Sequence, residues 1–154
     1  MTLTKFSLAL LAMALAFSVA QAQEKKIKRE QLPPAVEKTV ATESQGAMIK
    51  GFATEVENGR RLYEAELIVN GHHKDISMDR NGAIVEVEEE VSIDSLPTAV
   101  QVALRKAAGS ATIEMVESLT KNGKLVAYES RVKRGARRSE IQVGPNGEKL
   151  KRPE

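Results

Sequence analysis

Cysteine is absent from this chain. That removes disulfides, thiolate metal sites, a lipid-modified cysteine and a cysteine nucleophile together. Tryptophan is absent too, and aromatic residues make up only 3% of the sequence. A chain so poor in rings has few platforms on which nucleic-acid bases could stack. It also has few of the Trp and Tyr anchors that dominate tight protein interfaces. Histidine occurs only as the neighbouring pair His72 and His73, and no Ser-His-Asp set is visible around it. Nucleophilic catalysis therefore has no evident machinery. Long apolar runs are missing everywhere except at the N-terminus.

That N-terminal run spans Phe6 to Ala20, interrupted only by Ser7 and Ser18, with Lys5 before it and Ala20-Gln21-Ala22 after it. A positive start, an apolar middle and a small-residue cleavage site read as a secretory signal peptide over residues 1–22. The alternative is a membrane anchor, but about 15 residues fall short of the roughly 20 that a spanning helix needs. The expected product is an exported, periplasmic or secreted protein with no stable membrane insertion after cleavage. Without disulfides it relies on core packing.

Charge is uneven along the chain. Leu32 to Val91 carries a net charge of −6 and Ser92 to Glu154 one of +5. Such asymmetry marks a binding surface, or lets the two halves attract each other. Gln23 to Gln31 (QEKKIKREQ) has one apolar residue, so it is expected to be a flexible basic N-terminus, or an arm for anionic partners.

What the chain does have is an internal repeat. Tyr63 to Gly82 reads YEAELIVNGHHKDISMDRNG, and Tyr128 to Gly147 reads YESRVKRGARRSEIQVGPNG, 65 residues on. Upstream of each lies the same helix opening, Leu32-Pro33-Pro34-Ala35-Val36 and Leu96-Pro97-Thr98-Ala99-Val100. Proline suits a first helical turn, where its missing N–H has no partner to lose. The first helix has Val36 and Val40 on one stripe and stops at Gly46. The second has Val100, Leu104 and Ala107, stops at Gly109, and has Asp94 and Ser95 as candidate caps.

After each helix the period falls toward two. Four strands are expected in the first unit: Ala47–Glu57, Arg60–Val69, His72–Asp79 and Ala83–Val91. The turns between them are Asn58-Gly59, Asn70-Gly71 and Asn81-Gly82, since Asn-Gly supplies the positive φ of a two-residue hairpin. The second unit gives Ala111–Lys121, Lys124–Lys133, Arg137–Val143 and a short last strand around Leu150. Gly51 suggests a bulge in the first strand. A one-residue length mismatch suggests another near Leu125, which would keep Tyr63 and Tyr128 on equivalent buried faces. The expected fold class is α+β: two tandem units, residues 32–91 and 96–150, each one helix packed on a four-stranded antiparallel β-meander. The face away from the helices, rich in Glu, Lys and Arg, is expected to be wet.

The LP-x-AV helix openings, the Tyr-Glu-Ala and Tyr-Glu-Ser starts and the closing Asn-Gly turns resemble PepSY-like domains of exported bacterial proteins. Those are grouped with β-lactamase-inhibitor-like proteins. The resemblance runs from Leu32 to about Leu150, as two copies. It implies a non-enzymatic envelope protein, without a cofactor, that binds or restrains a partner protein, a peptidase being one example. Some relatives sit in peptidase propeptides; others are tandem inhibitors that dock a sheet face on an enzyme. No family catalytic residue carries over, and the aromatic-rich face of a tandem inhibitor is missing.

Three groups are candidate sites. Arg131, Lys133, Arg134, Arg137 and Arg138 surround one hairpin, with Arg131 and Lys133 opposite Tyr128. They form an anion-seeking patch for a protein partner in the cell envelope, or a charged hairpin that guards a sheet edge. Nucleic acid is disfavoured by export. His72, His73 and Asp75 are the candidate metal ligands of a small-ligand or metal carrier, although adjacent strand residues point to opposite faces. Glu86, Glu88, Glu89 and Glu90 read as a solvated strand face, the alternative being calcium or acid–base work.

Overall fold

The structure is a computed structural model and describes residues 24–154. The expected signal peptide, residues 1–22, lies outside the described residues. The elements are β1 (Lys25–Ile27), α1 (Pro34–Glu43), β2 (Met48–Glu57), β3 (Arg60–Val69), β4 (His72–Met78), β5 (Ile84–Glu90), α2 (Thr98–Ala108), β6 (Thr112–Lys121), β7 (Lys124–Arg134) and β8 (Arg137–Val143). All eight strands join one antiparallel sheet in sequence order, which makes the fold α+β. The strands of the two halves meet at the β5–β6 ladder, from Glu86↔Lys121 to Glu90↔Glu117.

Three Asn-Gly turns form as their chemistry requires, whereas the expected Asn81-Gly82 turn is centred one residue earlier on Arg80-Asn81, Gly82 N donating to Asp79 O at 3.0 Å with Gly82 alone at positive φ. Asn58, Asn70 and Asn122 hold φ values of 48°, 52° and 49°, each followed by a positive-φ glycine. β2 bulges between Ile49 and Gly51, skipping Lys50. β7 pairs Ala127 with Leu119 and then Leu125 with Thr120, leaving Val126 out of the ladder. That extra residue returns Tyr128 to the helix side, opposite Ser118 and Val143.

Both helices lie on one side of the sheet. Val36 and Val40 of α1 pack with Phe52, Tyr63, Leu67, Ile76 and Met78. Val100 and Leu104 of α2 pack with Val116 and Val143, and Tyr128 borders that cluster. Two glycines fix how closely the helices sit. A Cβ on Gly82 would lie 2.5 Å from the Ala35 carbonyl oxygen, and one on Gly147 would lie 2.6 Å from that of Ala99. Thr39 Oγ1 closes the first contact by donating to Gly82 O at 2.8 Å.

Several expectations are corrected. Residues 25–31 are ordered: β1 pairs with β2, Lys26↔Ala53 at its centre, and Ile27 packs on the first core. Backbone pairing onto an open sheet edge supplies the stability that composition lacked. Lys28 N then donates to Gln31 Oε1 at 2.8 Å and turns the chain toward α1. No strand forms around Leu150, so three strands follow α2. The α2 stripe is Val100, Leu104 and Ala108, while Ala107 is exposed, because burial recurs every fourth residue. Asp94 and Ser95 lie in a 3-10 turn (Ile93–Ser95), and α2 starts from Pro97 without a side-chain cap. Asp94 instead pairs with Arg105 at 3.1 Å.

Candidate functional site

The side of the sheet away from the helices holds most of the chemistry. Alternation fixes which side chains reach it. Because Ala65, Ile76 and Val87 line up on the helix side, Glu64, Glu66, Asp75, Glu86 and Glu88 must point the other way. The ladder continues this face through Glu117 and Leu119 on β6, Glu129 and Arg131 on β7, and Glu140 and Gln142 on β8.

This face is hollow. Glu24, just before β1, and Glu154, at the chain end, line the same depression of about 320 Å³ as Asp75, Glu88 and Glu129 in the middle of the sheet. Edges and centre can share one hollow only if the sheet curls toward this side. Glu154 N donates to Gln142 Oε1 at 2.9 Å, which folds the C-terminus over the β8 margin. Leu119 is the one apolar side chain among its described lining residues, while Ala53, Leu62 and Ala127 lie buried on the same face of the sheet.

Curling takes carboxylates out of water. Burial pushes the Glu64 and Glu88 carboxyls up to about 8, with like charges adding to it. Asp75 rises to about 6, first through burial and then through Glu117 and Glu66. Glu55, Glu117 and Glu129 are raised for the same leading reason. Desolvation disfavours an ionised carboxyl, and a like charge nearby does so again. The strand face expected to be fully solvated is thus a partly dehydrated trough at its centre.

Bases line the rim. Lys121 pairs with Glu86 at 3.0 Å and with Glu57 at 3.6 Å; Lys74 and Glu89, paired at 3.0 Å, lie on the helix side. Arg138 holds Glu114 at 2.7 Å, with Lys133 at 4.0 Å. Glu114 can reach both because it is the residue that the β6–β7 ladder skips.

The sequence-derived site residues are therefore divided. Arg131, Lys133 and Arg138 share the trough face, Lys133 opposite Arg138 and Arg131 opposite Glu140. Arg134 reaches toward the end of α2, donating from Nη2 to Ala108 O at 3.4 Å. Arg137 is exposed at the hairpin tip. His73 and Asp75 share the trough face, whereas His72 leads the opposite alternation and its Nδ1 lies 3.7 Å from Glu90 Oε1. Sequence reasoning missed Glu64, Glu117 and Glu129 as members of one site. Their signal was a carboxylate in each of three strands at a position that alternation turns away from the helices. Among the described residues, no helix is long and apolar enough to cross a membrane.

No protein-family model and no curated sequence matches the chain. Solved structures show the fold. A candidate periplasmic protein of Bacteroides eggerthii is 17% identical with a TM-score of 0.61, covering 76% of this chain and 84% of that one. A DUF2874 family protein of Bacteroides ovatus is 22% identical with a TM-score of 0.58, covering 78% and 85%. A BLIP-like protein of Bacteroides fragilis is 22% identical with a TM-score of 0.52, covering 73% and 79%. The chain thus shares its fold with BLIP-like and DUF2874 family proteins from Bacteroides.

Proposed function

We propose that the chain is a non-enzymatic, exported protein of the bacterial envelope, built from two PepSY-like copies, that binds a partner protein through the hollow face of its sheet. The observation that carries this reading is the trough itself, a depression lined from β2 to β8 whose carboxylates outnumber its bases. The partner segment that fits it is cationic. Lys and Arg side chains would neutralise carboxylates that repel one another in its absence. The periplasmic and BLIP-like descriptions of the structural neighbours support both the compartment and the binding role. The poverty of aromatic anchors argues for an association steered by charge rather than one locked by hot spots.

The test is calorimetry with a Lys/Arg-rich decapeptide and its Asp/Glu-rich counterpart. The account expects saturable binding of the basic peptide alone, weakened by salt and abolished by Glu64→Lys/Glu129→Lys. Equal binding of both peptides, or binding unaffected by the double substitution, contradicts it.

A further inference from the structure

We propose that Asp75, Glu88 and Glu117 form a site for one divalent cation of the calcium class on the floor of the trough.

The geometry comes from three neighbouring strands. Asp75 on β4 stands directly opposite Glu88 on β5, and Glu117 on β6 lies two residues from Leu119, the partner of Glu88. One carboxylate oxygen from each can be chosen so that all lie within 4.8 Å of one another. Calcium holds oxygen ligands at about 2.3–2.6 Å, so two ligands of one ion stand up to about 5 Å apart. Three oxygens at this spacing can meet a single calcium-sized ion without backbone movement. Magnesium dehydrates reluctantly and is seldom held by protein carboxylates alone, which favours calcium here.

The second observation is Glu117 itself. It is only 4% exposed, yet among the described residues its carboxylate has neither a hydrogen-bond donor nor a base within ion-pair distance. Neither oxygen is fully enclosed, because among the described residues no fully enclosed side-chain oxygen lacks a partner. Arg131 and His73 act on the carboxylate only at longer range; a carboxylate this buried without a contacting counter-charge is costly, and a cation relieves the cost. Its neighbours are served differently. Glu86, Glu90 and Glu114 each have a basic side chain within 4.0 Å, and Glu129 accepts from Gln142 at 2.6 Å. Asp75, Glu88 and Glu117 are left facing one another at the centre of the sheet.

Ligand chemistry selects the ion. Carboxylate oxygens with no thiolate and no converging imidazole pair suit hard cations and not zinc or copper. Three protein ligands leave water to complete the shell. The affinity expected is that of extracellular calcium modules, about 10⁻⁴–10⁻³ M.

The test is calorimetry of the full mature chain with calcium chloride and, separately, magnesium chloride, paired with thermal melts. Wild type is expected to bind one calcium saturably, more tightly than magnesium, and to melt higher with it. Glu117→Gln is expected to weaken binding at least tenfold. Asp75→Asn/Glu88→Gln is expected to melt higher than wild type without calcium and to show no further shift with it. Glu37→Gln, on α1 across the sheet, is expected to bind as wild type does. If Glu117→Gln fails to fold, the double variant decides. No saturable binding through the millimolar range, magnesium binding as tightly as calcium, undiminished binding in Glu117→Gln or in the double variant, or equal loss in Glu37→Gln would each overturn the proposal. The basic-peptide measurement uses Glu64 and Glu129, so either reading can fail without the other.

Discussion

Asp75 and Glu88 face each other across the β4–β5 ladder, two carboxylates in one cross-strand row with no base among the described residues within ion-pair distance of either. Like charges directly opposite each other in a sheet are destabilising. Where both are ionised, above pH 8, replacing either one by its amide should therefore stabilise the ion-free protein by up to about 1 kcal/mol, raising the melting temperature by a few degrees. Scanning calorimetry of Asp75→Asn and Glu88→Gln in chelator-treated buffer at about pH 9 reads this directly. A lower melting temperature in both would show that the charges are compensated.

Glu64 gives the trough a pH signature. Its folded-state value of about 8 lies above the ordinary 4.5, chiefly through burial. The folded state therefore binds more protons than the unfolded state between those values, and stability falls as pH rises through that window. The contribution is fully present below about 4.5. Urea denaturation at pH 5 and pH 8.5 should show the wild type more stable at the lower pH, and Glu64→Gln should shrink the difference. An unchanged pH difference in the variant would rule Glu64 out as its source.

Gly82 and Gly147 set the seating of the two helices. Alanine at either places a Cβ about 2.5 Å from a helix carbonyl, in a backbone region with φ near +80°. Each substitution should cost roughly 2–4 kcal/mol, from the clash and the left-handed conformation together. Gly46, also at positive φ but with nothing within 4 Å of its added Cβ, should cost about 1 kcal/mol when changed to alanine. Chemical denaturation of the three variants provides the ranking. A Gly46→Ala cost equal to the others would remove close approach as the cause.

Much of this architecture was legible in the residues, for identifiable reasons. The Asn-Gly pairs placed the hairpins, and strands 60–69 and 137–143 begin and end where alternation says. The length mismatch pointed to the bulge beside Leu125. β1 was hidden because three residues with one apolar side chain carry no periodic signal; its stability comes from β2. The trough was hidden for a different reason. Alternation shows that Glu64, Asp75, Glu88 and Glu129 share a side, but only the curl of eight joined strands shows that the side is hollow. The basic hairpin looked like one patch in sequence, yet strand alternation sends Arg134 and Arg138 to opposite faces.

Continuity of the sheet has its own consequence. Leu104 and Leu67 belong to different cores, but the β5–β6 ladder links them. Leu104→Ala should cost about 3–5 kcal/mol and lower a single cooperative transition rather than release one half. Amide exchange followed by mass spectrometry should show both halves losing protection together. Separate unfolding of residues 96–154 would show the ladder to be weak.

The binding face itself is best tested by amide chemical-shift mapping with the Lys/Arg-rich decapeptide. The account predicts saturable shifts centred on Glu64, Asp75, Glu88 and Glu129. Shifts confined to the Arg137–Arg138 hairpin or to the helix side, or none at all, would contradict it.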